Sequence, residues 1–196
     1  MAAALKPDRR SNFGAALLAA SLLALAWPAL VLAQSRFEIR SAYVELSDGV
    51  YLLNAKLDFE LPRRAREAIA DGLPLTLELE IIVDRSRRLW PDETVATLEQ
   101  LYELGFHALS QRYLVRNLNS GEQTSYPTLD AALDSLSVVD RLPILDRSLV
   151  DPQLRYEVNL RAMLNVRTMP DAMRFLLFWV DSFKQTSEWY TWPLSL

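Results

Sequence analysis

His107 is the single histidine of the chain, and cysteine is absent altogether. Thiolate metal centres, cysteine nucleophiles and disulfide frameworks are therefore excluded. One imidazole holds a metal only with carboxylate partners, and as a general base it needs an acid or nucleophile placed beside it by the fold. Flanked by Phe106, Ala108 and Leu109, His107 is expected to be a half-buried, hydrogen-bonded strand residue. Glu78 and Glu80 form a paired-carboxylate candidate, because residues two apart on a strand share a face. Glycosidase-type chemistry needs two carboxylates about 5–9 Å apart across a cleft. Acidic residues are mostly exposed, so this pair is expected on a solvated face. His107, Glu78 and Glu80 are the whole case for a carboxylate-based hydrolase. No catalytic residue, cofactor or metal site is assigned.

Binding chemistry has more to work with. Arg63, Arg64 and Arg66, then Arg85, Arg87 and Arg88, form two basic clusters on either side of one predicted strand. Brought together they would dock anionic lipid headgroups or an acidic partner face. Trp90, Trp179, Trp189, Tyr190 and Trp192 would bind an apolar or planar ligand if they lined one groove. Phe175-Leu176-Leu177-Phe178-Trp179-Val180 is apolar on every side of a helix, which means full burial between sheets or contact with something apolar outside. The candidate ligand or partner surface is thus Trp90, Phe175, Phe178, Trp179, Trp189 and Trp192, with Arg85, Arg87 and Arg88.

The elements that must position these residues are mostly strands. Tyr51, Leu53, Ala55, Leu57, Phe59 and Leu61 alternate with Leu52, Asn54, Lys56, Asp58 and Glu60, the period of a strand with one buried face. Residues 37–46 read as its partner, joined through Ser47-Asp48-Gly49, since Asp-Gly accepts positive φ in a tight hairpin. Residues 63–71 form a short helix after Pro62, with Gly72 at the left-handed cap. Alternation returns in Leu75, Leu77, Leu79, Ile81 and Val83. Residues 93–118 fit a helix followed by a strand as well as two long strands; Gly105 in mid-stretch favours strands. Asn119-Ser120-Gly121 is a turn leading into a short strand over residues 123–126. Thr128 caps a helix over residues 129–139, and residues 140–152, rich in Pro and Asp, read as a connection. A strand over residues 154–164, a short helix from Met169-Pro170 through Phe178 and a last strand ending near Trp192-Pro193 complete the chain. This pattern predicts a mainly β fold, an antiparallel two-sheet sandwich with two or three short helices in the connections.

Residues 1–33 have the build of a secretory signal peptide. Lys6, Arg9 and Arg10 precede an apolar stretch over residues 13–32 that closes on Val31-Leu32-Ala33. Pro28 interrupts the stretch and favours cleavage after Ala33; about twenty apolar residues would otherwise serve as an inner-membrane anchor. Residues 34–196 then make one domain, 163 residues long, large enough for a real core without disulfides. Removing three of 21 basic residues and Asp8 from 25 acidic ones leaves a net charge near −6, which argues against nucleic acid as a partner.

The run Arg87-Arg88-Leu89-Trp90-Pro91-Asp92-Glu93-Thr94-Val95-Ala96, then Phe106-His107-Ala108-Leu109-Ser110-Gln111-Arg112-Tyr113, has a recognisable form. With Tyr126-Pro127-Thr128-Leu129 and Ser187-Glu188-Trp189-Tyr190, it resembles the proteobacterial "domain of unknown function 4390" family over essentially the whole chain after the leader. Two departures are Leu89-Trp90, where the family often carries paired tryptophans, and Met169-Pro170, where it carries Leu-Pro. The resemblance implies an exported protein and assigns no activity or catalytic residues.

The function these features favour is a non-enzymatic, periplasmic binding or interaction module whose partner is an envelope protein or an apolar ligand. An envelope carrier of an acyl chain stands second and the hydrolase third. Membrane contact is expected only through residues 13–32, if they are retained. Export with cleavage after Ala33 predicts Gln34 as the N-terminus of the protein recovered from the periplasm. N-terminal peptide mass spectrometry checks this, and a Met1 start in the membrane fraction would identify an anchor instead.

Overall fold

The computed structural model describes residues 37–165 and 184–195. The chain divides into two units, Met1–Gln34 and Ser35–Leu196, and the second contains every described residue. The expected leader and the expected helix bearing Phe175, Phe178 and Trp179 lie outside the described residues. No helix among the described residues is long and apolar enough to cross a membrane.

The domain is mainly β, with every strand pair antiparallel. It opens with β1 (Phe37–Ser47) and β2 (Val50–Phe59), joined by Asp48 and Gly49 at φ 52° and 81°. Positive φ at both central residues matches the right-handed twist of the flanking strands. Helix α1 (Arg63–Ala70) follows, and Gly72, at φ 88°, ends it. Gly72 N–H donates to Ile69 O (3.0 Å) and Leu73 N–H to Ala68 O (2.9 Å), the paired reverse bonds of a Schellman cap.

Next come β3 (Leu75–Arg85), β4 (Glu93–His107), β5 (Arg112–Asn117) and β6 (Gln123–Tyr126), an antiparallel meander. Residues 93–107 are thus one long strand, as Gly105 suggested, with Gly105 facing Leu114 of β5. Thr128 Oγ1 accepts from Ala131 N–H (3.2 Å) at the start of α2 (Leu129–Leu136). The chain then continues through β7 (Val138–Asp146), a 3-10 turn (Arg147–Leu149), β8 (Tyr156–Asn165), β9 (Gln185–Thr186) and β10 (Tyr190–Pro193).

Two expectations need correction here. Helix α2 stops at Leu136, and Val139 belongs to a strand; residues 140–146, expected as a connection, are most of β7. Pro143 disguised that strand, because proline cannot donate to a ladder on both sides. β7 tolerates it by lying at the edge of a three-stranded sheet ordered β1-β2-β7. Arg141 there takes φ 49°, and its N–H donates to Asn54 Oδ1 on β2 (3.1 Å) where the register shifts.

The second sheet has seven strands, ordered β10-β8-β3-β4-β5-β6 with β9 also on β8. Ile39, Leu53, Leu57 and Ile144 from the small sheet share one apolar core with Leu75, Leu77, Leu79, Ile81, Val83, Val158 and Leu160 from the large one. Ala65, Ile69, Ala132 and Leu136 bring both helices into that core.

Leu79 is fully buried at the centre of β3. Leu79→Ala is expected to cost about 2–5 kcal/mol. Leu109→Ala, at a side chain 94% exposed in the β4–β5 turn, is expected to stay within about 0.5 kcal/mol of wild type. Urea unfolding of both variants checks the contrast.

Candidate functional site

β3 and β4 stay paired to the last residue of one and the first of the other, Arg85 opposite Glu93, and residues 86–92 join them. The base of this connection is braced. Arg85 and Arg87 both pair with the Glu93 carboxylate, and Arg87 N–H donates to Asp92 Oδ1 (3.0 Å). Asp84 accepts from Thr94 Oγ1 (2.7 Å) and from Asn159 Nδ2 on β8 (2.9 Å). Above this brace Leu89 and Trp90 stand in solvent, 89% and 75% exposed. Single exposed apolar residues are commonplace, but two adjacent large ones on a fixed tip form a patch.

Beside the tip lies a surface cleft of about 590 Å³ lined by Ser86, Arg87, Arg88, Gln153, Leu154 and Arg155. Its walls come from distant parts of the chain, held together by Ser86 N–H donating to Arg155 O (2.9 Å). Three guanidinium-bearing residues line it and no carboxylate does. Arg88 and Arg155 form no ion pair among the described residues. A second cleft, about 460 Å³, shares Ser86, Leu154 and Arg155 and continues over Tyr156, Glu157, Pro193 and Leu194. Gln153, Leu154 and Arg155 were missed as site residues in the sequence. No local signal distinguishes them; the β3–β8 register, which sets Arg85 opposite Tyr156, brings them to the tip.

The other sequence candidates scatter. The Arg63, Arg64 and Arg66 cluster sits on α1, before the start of β3, whereas Arg85 closes β3 and Arg87 and Arg88 follow it. Ten residue steps along a strand separate those ends by about 33 Å, so the two clusters form no common surface. Arg63 pairs with Glu67 (2.8 Å) and Arg66 with Asp130 (3.0 Å).

Nor do the described tryptophans share a groove. Trp90 is on the tip; Trp189 lies over the Arg161 guanidinium, 4.3 Å from ring centroid to Cζ. Trp192 is half-buried against the core beside Tyr190, with ring centroids 5.6 Å apart. Phe175, Phe178 and Trp179 lie outside the described residues.

The carboxylates are not on a solvated face. Glu78 is only 8% exposed and engaged, and Glu80 is half-buried, accepting from Arg161 Nε (3.2 Å) and Nη2 (2.5 Å). β3 is an interior strand with β4 and β8 along its two edges, and its second face is packed where the alternation alone suggested water, with Thr76 1% exposed. His107 is likewise not half-buried. It closes β4 in the open, with Nδ1 accepting from Ser110 N–H (3.3 Å) and lying 2.8 Å from Ser110 Oγ. Glu78 pairs with Leu101, six strand steps from His107, a separation of about 20 Å. The three groups do not converge, and no three acidic or histidine side chains among the described residues gather to hold a metal.

One further cleft, about 250 Å³, opens between the sheets under α2. Tyr102, Asn117, Glu122, Thr124, Tyr126 and Ser135 line it with Val115, Leu136, Val138 and Val139. Burial pushes the Tyr102 phenol above its ordinary pKa, against the opposing hydrogen bond from Gln100. Gln100 Nε2 in turn donates to Asn117 Oδ1 (2.8 Å). The lining mixes hydroxyl, amide and carboxylate groups with aliphatic ones.

No curated protein and no solved structure matches this chain. The motif run that carries the sequence resemblance begins at the tip itself, with Arg87 to Pro91. A family model described as "Domain of unknown function (DUF4390)" matches residues 34–193, nearly all of the chain after the leader pattern, and the chain belongs to that family.

Proposed function

We propose that the chain is a non-enzymatic binding module, exported to the periplasm, and that it works through the β3–β4 tip and the arginine-lined cleft beside it. The observation that carries this reading is the exposure of Leu89 and Trp90 together on a braced connection. Full burial of a leucine side chain stabilises by about 1.5–3 kcal/mol, and a tryptophan has more surface to hide. That gain is left unrealised in the isolated domain, so a partner that covers both side chains recovers it on binding. Tryptophan and arginine are also the side chains on which binding energy concentrates at interfaces. The scattering of Glu78, Glu80 and His107 lends no support to a shared catalytic centre. The basic and apolar pattern of residues 1–33 supports export, with attachment at the inner membrane through residues 13–32 as the alternative.

The test is a comparison of the wild-type chain with the double variant Leu89→Asp, Trp90→Asp, both recovered from the native envelope. Neither side chain is in the core, so melting temperatures are expected to agree within a few degrees. Native mass spectrometry is expected to find a bound species on the wild type and its loss in the variant. An identical set of bound species on both proteins, or none on either, overturns the proposal.

A further inference from the structure

We infer that the occupant of the tip and its cleft is an anionic phospholipid surface, with headgroup phosphates held by Arg88, Arg155 and Arg87 and with Leu89 and Trp90 entering the interfacial layer. The inference deepens the binding-module reading and rests on it. Its basis is the juxtaposition of two unlike features. One is a cleft lined by three arginines, Ser86 and Gln153 with no carboxylate in its wall. The other is the solvent-exposed Leu89-Trp90 pair immediately beyond it.

The charges decide which guanidiniums are free to act. Glu93 serves both Arg85 and Arg87, so one carboxylate answers two cations and leaves part of the Arg87 charge unmatched. Asp92 is occupied at the base of the connection by Arg87 N–H. Glu157 lines the neighbouring cleft rather than this one. Arg88 and Arg155 therefore line the cleft with no ion pair among the described residues, although Arg155 also borders the cleft that Glu157 lines. A guanidinium presents paired N–H donors in a planar fork that fits a phosphate's oxygens, which an ammonium group cannot do.

The apolar pair fixes the kind of anion. A free phosphate or an acidic peptide satisfies the arginines and leaves Leu89 and Trp90 in water. A phospholipid surface satisfies both, because its phosphates lie just outside the layer where tryptophan rings and aliphatic chains are stable. Leu89 and Trp90 are largely exposed, and a fluid interface receives exposed apolar side chains without a matching pocket. A protein partner would need such a pocket and an acidic rim around it.

The absence of native cysteine makes a site-specific test possible on the full chain. Pro91→Cys leaves Leu89 and Trp90 in place and carries an environment-sensitive fluorophore at the tip. Leu109→Cys carries the same label in the β4–β5 turn, at the opposite end of β4. Vesicles of phosphatidylcholine with about one-third phosphatidylglycerol are compared with phosphatidylcholine alone.

The expected result is a blue shift of the Pro91→Cys label with the anionic vesicles only, weakened by salt. The Leu109→Cys label stays unshifted. Adding Arg88→Glu and Arg155→Glu lowers the apparent vesicle affinity at the tip label by about tenfold or more. Attachment through residues 13–32 is common to every variant, so it does not produce these differences. An unshifted tip label overturns the inference, as does an equal shift with uncharged vesicles or an equal shift at Leu109→Cys. A tip label unmoved by vesicles, with a protein bound to the wild type and lost in the aspartate double variant, removes the lipid and leaves the binding module standing.

Discussion

The structure depends on the double-sided burial of β3. Its core-facing side chains, Leu75, Leu77, Leu79, Ile81 and Val83, are at most 2% exposed, and even Thr76 and Glu78 on its other face are buried. Burying a carboxylate inside a sheet is costly unless it is engaged, and Glu78 is engaged while Glu80 has Arg161. β4 pairs with β3 from Leu75 to Arg85 and β8 pairs with it from Thr76 to Arg85. A one-residue slip in either ladder would turn the leucine row out of the core, so the register is strongly specified. The same register places Arg155 beside Ser86. Stability of the core and integrity of the arginine cleft are thus properties of one set of hydrogen bonds.

Much of the fold could be read from residues whose local chemistry and tertiary role agree. Asp48-Gly49 adopts the positive φ angles its composition allows, Gly72 closes α1, Thr128 caps α2, and the leucine alternation of β3 points to the core. β7 was illegible because Pro143, Asp140 and Asp146 are loop signals, and only the strand's position at a sheet edge makes them acceptable. Glu78 and Glu80 misled in the other direction. Alternation says which face a residue shares, but not whether that face is wet, which depends on what packs over it in the fold.

The proposed binding surface was half legible. Arg85, Arg87, Arg88 and Trp90 are contiguous in the chain and could be picked out by composition. Their separation from Arg63, Arg64 and Arg66 is a consequence of strand length, and the recruitment of Arg155 is a consequence of pairing between strands about seventy residues apart. Leu154 and Gln153 carry no mark of a site until that pairing is known. The tryptophans show the same limit, since Trp90, Trp189 and Trp192 are alike in type and have three different surroundings.

The proline of β7 has one more consequence. A sheet with free edges invites growth by adding strands from other molecules, which is the route to fibrils as well as to specific strand exchange. Among the described residues each outer strand is blunted. β7 carries Pro143, β1 breaks register between Ile39 and Ser41, and β6 and β10 are four residues long. Edges blunted in this way disfavour growth of the sheet by strand addition from a second molecule.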